Sequence, residues 1–318
     1  MLAILVAYSL AGYLHYPEDA RVTISTDLGL WDLLSKQLKE PVELVWRAKR
    51  PVILVIDSEK GGVGKTALAN GLIAVAAAGG LRVWATDLDP RATLTKELGA
   101  DHSDGFGVNE LLYVDPEANP DELPDIRGLA SEVLRPAGEE WGPNVQVMAA
   151  VRGLAHRETD LTPGLEHRLR LAFEGILEGN VDLVVIDLPP RAGGKLVASG
   201  LLAATHVLYT GTLDADGLDG ILEARRTYKF ITQTSPTPPV QVGVLRNRVG
   251  PRTNLAEHFD GRFAEEFGDS VLPFVVPQRV LRLESRGACV PITAANSPDA
   301  RDLINGYTRV LNAVGGAA

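Results

Sequence analysis

The chain has 318 residues, a single cysteine and a formal net charge of −10 at pH 7. Cys289 alone cannot close an intrachain disulfide or assemble a zinc or iron–sulfur site, which suits a reducing cytoplasm. The acidic balance excludes a wholly basic coat for nucleic acid, and 45% hydrophobic with 23% charged residues is the composition of a globular chain that buries its own core.

The N-terminal run MLAILVAYSLAGYLHYPEDA starts apolar but falls short of the ~20 apolar residues of a membrane span. It lacks the basic stretch of a signal peptide. It reads as a structural helix or strand, or as the product of a misplaced start codon. From Asp27 to Lys39 a helix is predicted, because Leu28, Trp31, Leu34 and Leu38 share one face. Residues 1–50 are expected to form an N-terminal extension of unknown role. It is shorter than a DNA-binding domain and has no helix-turn-helix pattern. Residues 51–318 are expected to form the main domain.

From Pro51 the signals alternate. Strands are predicted at 51–57, 81–86, 145–150, 181–187, 206–211, 240–245 and 271–276. Helices are predicted at 66–78, 162–179, 217–233, 254–267 and 298–314. The stretch 101–143, rich in Pro, Gly, Asp and Glu, reads as loops with one or two helices. Buried strands alternating with helices give an α/β fold of three layers, a mostly parallel central sheet flanked by helices.

Between the first strand and its helix lies Lys60-Gly61-Gly62-Val63-Gly64-Lys65-Thr66. It ends in the Gly-Lys-Thr of a phosphate-binding loop, with Glu59 where the first glycine is expected. Glycines let backbone N–H groups of residues 61–67, through Val63 and Ala67, turn onto phosphate oxygens at a helix N-terminus. Lys65 would place its charge on the β- and γ-phosphates, and Thr66 its hydroxyl on Mg²⁺. Two carboxylates, Asp87 and Asp89, end the second strand, where an open α/β sheet binds its ligands. VDLVVIDLPP delivers Asp187 to another strand end, as a magnesium-coordinating carboxylate requires.

Lys60 before the glycine pair makes the loop resemble the deviant Walker A motif of the ParA/MinD ATPases. TDLDPR resembles their DxDPQ segment, with Arg91 in place of glutamine. GVLRNRV, VVPQRV and RTNL (252–255) resemble further segments of ParA partition proteins, and the resemblance runs from residue 51 to about 314. It implies a P-loop NTPase fold and an ATP hydrolase using ATP and Mg²⁺. Lys60 would reach a partner subunit's phosphates in an ATP-bound homodimer, Asp89 would position the attacking water, and Asp87 would support the Mg²⁺ site held by Thr66 and Asp187. Asn247 and Pro277 would border the adenine. Arg252, with Arg282 beside it, would contact double-stranded DNA non-specifically through phosphates. The related iron–sulfur and metalloid families need cysteines that this chain lacks, and the C-terminal NGYTRVLNAVGGAA lacks the basic amphipathic character of a membrane-targeting helix. The expected function is partition of a plasmid or chromosome on the nucleoid, with a ParB-like partner stimulating hydrolysis. The alternatives are positioning of a protein complex and a nucleotide-locked scaffold that does not hydrolyse.

Overall fold

Runs of β-branched and apolar residues too uniformly hydrophobic to face water on either side become the central strands of the sheet. The computed structural model describes residues 29–100, 106–115, 117, 119, 121, 125–191, 193–233 and 235–316. In chain order the elements are α1 (Leu30–Lys39), β1 (Val52–Asp57), α2 (Lys65–Ala78), β2 (Val83–Asp87), α3 (Thr93–Glu97), α4 (Val108–Leu112), β3 (Leu134–Pro136), β4 (Val145–Met148) and α5 (Arg168–Phe173). There follow β5 (Leu183–Asp187), α6 (Lys195–Ala203), β6 (His206–Gly211), α7 (Ala215–Thr232), β7 (Val240–Val249), α8 (Asn254–Phe267), β8 (Val271–Pro277), α9 (Leu281–Ala288) and α10 (Pro298–Gly316).

The sheet runs β3-β4-β2-β5-β1-β6-β7-β8. All neighbours pair in parallel except β3, which pairs antiparallel with β4 at the edge, where Pro136 is tolerated. The central strands β1, β2 and β5 are buried along their full length. On one face α2 and α10 cover Leu54, Ile56, Val185 and Leu208; on the other, Val55, Ile186 and Val207 join Leu196, Leu201 and Ile221 of α6 and α7. Register places Asp87 beside Asp187 and Asp57 beside Tyr209, so three acids from three strands meet at the carboxyl edge.

The predicted helix over 162–179 is mostly absent. Only Arg168–Phe173 is α-helical, after a 3₁₀ turn at Leu165–His167. Glu174 is already extended, and Gly175 and Gly179 take positive φ (81° and 78°), which stops the helix. Three helices that the sequence does not announce are the short α3, the mostly buried α6 and the short α9.

The described part of the N-terminal extension packs onto the domain. Leu30 and Leu34 of α1 pack with Val249 and Val275, and Trp31 Nε1 donates to the Gly250 carbonyl (3.3 Å). The strand-like strap after α1 is tied to α10 by two asparagines two turns apart: Val42 N donates to Asn305 Oδ1 (3.3 Å), Val45 N to Asn312 Oδ1 (2.8 Å), and Asn312 Nδ2 to the Glu43 carbonyl (2.9 Å). Residues 1–28, with the apolar N-terminal run and Leu28, lie outside the described residues, as does the side chain of Leu38.

Candidate functional site

The loop after β1 folds back on itself around Lys65. The Lys65 ammonium donates to the carbonyls of Ser58 (2.6 Å) and Lys60 (3.1 Å). Burial holds it below the ordinary lysine range, against the pull of Asp187, Asp57 and Asp89. Such a charge is preorganised for an incoming phosphate. Gly64 starts α2 at φ +92°, and a Cβ there would lie 2.8 Å from Asn247 Nδ2 and 2.9 Å from Arg248 Cδ, so only glycine fits. Glu59, in place of the usual first glycine, is hydrogen-bonded by the Thr227 hydroxyl and anchors the loop to α7.

A cavity of about 410 Å³ opens above this loop, lined by Gly62, Val63, Gly64, Lys65, Thr66, Ala67, Asp89, Asn247 and Pro277 among others. It thus gathers most of the expected site residues. Gly61, Asp87 and Asp187 lie outside its wall. Lys60 does too, and among the described residues its ammonium makes no hydrogen bond or ion pair.

Behind Thr66, its hydroxyl donates to Asp187 Oδ2 (2.7 Å). Asp187 is fully buried, and its Oδ1 has no partner among the described residues. Burial and the nearby Asp87 push this carboxyl well above the usual range, with Thr66 and Lys65 pulling the other way. A hydroxyl beside an orphaned buried carboxylate oxygen is a donor set that fits a hard divalent cation such as Mg²⁺. When bound, the cation would neutralise charge on phosphate oxygens. Thr66 and Asp187 are the residues placed to hold it, directly or through water.

Asp87 is tied to its own turn on both sides. Its Oδ2 accepts from Thr95 N and Thr95 Oγ1 (both 2.9 Å), and its Oδ1 from Asp89 N (3.0 Å). With both oxygens engaged, Asp87 fixes the turn that carries Asp89. Burial still pushes its carboxyl up to about 6. Asp89 sits in the cavity wall, where its carboxylate is gripped by Arg91, with Nη2 to Oδ2 at 2.7 Å and Nε to Oδ2 at 3.0 Å.

On the far side of the cavity, Asn247 leaves β7 with its amide already engaged. Its Nδ2 donates to the Val63 carbonyl (3.0 Å), and its Oδ1 accepts from Arg248 N (3.0 Å). In this structure the amide therefore ties β7 to the phosphate loop. Arg248 adopts φ +53° and donates from Nη1 to the Gly62 carbonyl. Pro277 closes β8 and is buried in the wall.

Arg282, expected beside Arg252, is turned inward. It is 8% exposed and paired through Nη2 with Glu97 Oε2, while Arg286 Nε meets Glu97 Oε1 at 2.9 Å. These residues buttress the cavity wall from α3 and α9. Glu97→Ala should destabilise the fold by about 3–5 kcal/mol, because it strands a buried guanidinium. The urea midpoint of the variant measures this, and an unshifted midpoint would show that the pair is dispensable. Arg252 is exposed, pairs with Glu257 and lies over the Trp31 ring. Arg246 and Arg279 are likewise paired, with Asp260 and Asp302.

The segment after Asp187 has an anchor that no local pattern announces. Glu158 accepts from Lys195 N (2.9 Å) and pairs with Arg191 (2.9 Å), holding the turn that precedes α6. Among the described residues no helix is long and apolar enough to cross a membrane.

The family model described as the CobQ/CobB/MinD/ParA nucleotide binding domain matches residues 54–289. The chain is 29% identical over 242 residues to the sporulation initiation inhibitor protein Soj of Bacillus subtilis, covering 76% of this chain and 89% of that protein. It is 29% identical over 232 residues to the chromosome partitioning protein ParA of Caulobacter vibrioides, covering 72% and 81%. Among solved structures it resembles cobyrinic acid a,c-diamide synthase of Mycobacterium smegmatis with a bound ATP analogue and magnesium. That likeness has a TM-score of 0.61 and 25% identity, covering 75% of this chain and 93% of that one.

Proposed function

The chain belongs to the CobQ/CobB/MinD/ParA nucleotide-binding domain family, and from that premise we propose that it is a Mg²⁺-dependent ATP hydrolase of the partition type. ATP binding joins two copies, each Lys60 reaching the other subunit's phosphates. The dimer binds double-stranded DNA non-specifically on the nucleoid, and a ParB-like partner stimulates slow hydrolysis and so releases it. Lys65, Thr66 and Asp187 serve the nucleotide and its cation in cis, and Asp89 orients the attacking water. The observation that carries this reading is the division of labour between two lysines. Lys65 is folded into its own cavity, while Lys60 stands outside that cavity without a partner among the described residues. The relation to Soj and ParA partition proteins supports the cargo.

A second reading, positioning of a protein complex, is favoured by the engagement of Arg246, Arg252, Arg279 and Arg282 with carboxylates. Phosphate contacts need cations that are free to displace counterions. A gel shift with ATP, ADP and no nucleotide separates the two. Retention of DNA only with ATP, weakening steeply with salt, is expected for DNA cargo. Indifference to DNA in every state would sink the DNA reading and leave the protein-cargo one.

A further inference from the structure

We infer that Arg91 is a γ-phosphate-sensing catalytic residue, latched onto Asp89 until ATP draws it away. This rests on the ATP-hydrolase reading above and extends it to a residue that stands where the resembling motif has glutamine.

Asp89, Pro90, Arg91 and Ala92 form a tight turn closed by Ala92 N donating to the Asp89 carbonyl (2.8 Å), with proline at the position whose φ it presets. Arg91 N donates to Asp89 Oδ1 (3.0 Å), and Ala92 is held at φ +53°, which a non-glycine residue rarely adopts. The loop is thus shaped to hold Arg91 in one place. That place is the wall of the cavity that also contains Gly64, Lys65, Thr66 and Asp89. Lys65 and Arg91 thus share the wall of one cavity, the one a nucleotide's phosphates would enter.

The guanidinium contacts only the Asp89 carboxylate among the described residues, through Nε and Nη2, which leaves Nη1 without a partner. The Arg91 side chain is 67% exposed and that of Asp89 5%. The arginine end of this pair is open to solvent, so the guanidinium can turn to a new anion without first being uncovered. A γ-phosphate carries more charge and offers the fork geometry that guanidinium matches. ATP can therefore compete for Arg91, and ADP, lacking that group, cannot. Once released, Asp89 has a free carboxylate with which to orient water, while Arg91 stabilises the charge that develops on the transferred phosphoryl group. Both consequences follow from one movement of one side chain, and the trigger is the substrate itself.

The test is the affinity of the full chain for a non-hydrolysable ATP analogue and for ADP, in wild type, Arg91→Ala and Arg91→Lys, together with single-turnover hydrolysis. Arg91→Ala should weaken the analogue ~10-fold and leave ADP unchanged, because only the γ-phosphate contact is lost. Hydrolysis should fall at least ~100-fold, as when an arginine is withdrawn from a phosphoryl-transfer site. Arg91→Lys should restore part of the affinity but little of the rate, since a point charge cannot bridge as a fork does. An unchanged ATP-to-ADP affinity ratio in Arg91→Ala, or hydrolysis faster than wild type, overturns the proposal and reduces Arg91 to a restraint on Asp89. A wild type that binds neither nucleotide overturns the ATP-hydrolase reading and this inference with it.

Discussion

Asp187→Asn should raise the melting temperature of the nucleotide-free protein by ~2–4 °C while lowering ATP turnover at least ~100-fold. The two effects have one cause. Asp187 is fully buried, one oxygen has no partner among the described residues, and burial together with Asp87 pushes its carboxyl well above the ordinary range. An ionised or half-satisfied group in that position costs stability, about 1–3 kcal/mol or more for a charge. An amide keeps the Thr66 hydrogen bond without burying charge, but it is a poor ligand for Mg²⁺. The acids behind the loop hold their protons more tightly in the fold than in the unfolded chain: Asp187 by direction, Asp87 at about 6 and Asp57 at about 7. Folding therefore takes up protons, and stability falls as pH climbs from the ordinary carboxylate range near ~4 toward 7. The fall should be shallower in Asp187→Asn, as thermal melts from pH 4 to 8 without nucleotide will read. A variant that melts lower than wild type and still hydrolyses ATP would show that Asp187 is a structural acid.

Lys60→Ala should abolish ATP-dependent dimerisation and lower turnover ~100-fold, yet leave nucleotide binding by the monomer and the melting temperature as they are. In its own chain Lys60 contributes a backbone carbonyl to Lys65, which survives truncation, and its ammonium does not line the cavity. Lys65 already supplies the charge in cis. A lysine that acts only on a second copy leaves the monomer intact when removed, and this separates it from Lys65, whose loss should empty the site.

Much of this site is legible in the sequence because its chemistry is local. The strand that ends in Asp57, the glycines, Lys65 and the start of α2 lie within one stretch, and a loop between a buried strand and a helix has few conformations open to it. Asp187 is legible for the same reason, since four apolar residues lead to it. Residues whose role is set by distant partners are not. Arg282 resembles a surface cation until Glu97, from α3, is placed under it. Asp87 and Asp89 look like a matched pair, but Thr95 and Arg91 divide them into a turn-holder and a gripped carboxylate. Glu158 has no neighbour in sequence that hints at Arg191 or Lys195. The failed helix over 162–179 has a plainer cause: Gly175 and Gly179 adopt left-handed backbone in a segment with helical periodicity. The docking of α1 and its strap depends on Asn305 and Asn312, more than 260 residues further along the chain.

Molar mass in solution, by light scattering, of wild type and Lys60→Ala with Mg²⁺ and a non-hydrolysable ATP analogue tests the central claim most directly. Wild type with the analogue should have twice the chain mass and with ADP that of a single chain, and Lys60→Ala that of a single chain in both. A Lys60→Ala dimer with the analogue, or a wild-type monomer that binds the analogue without pairing, would contradict it.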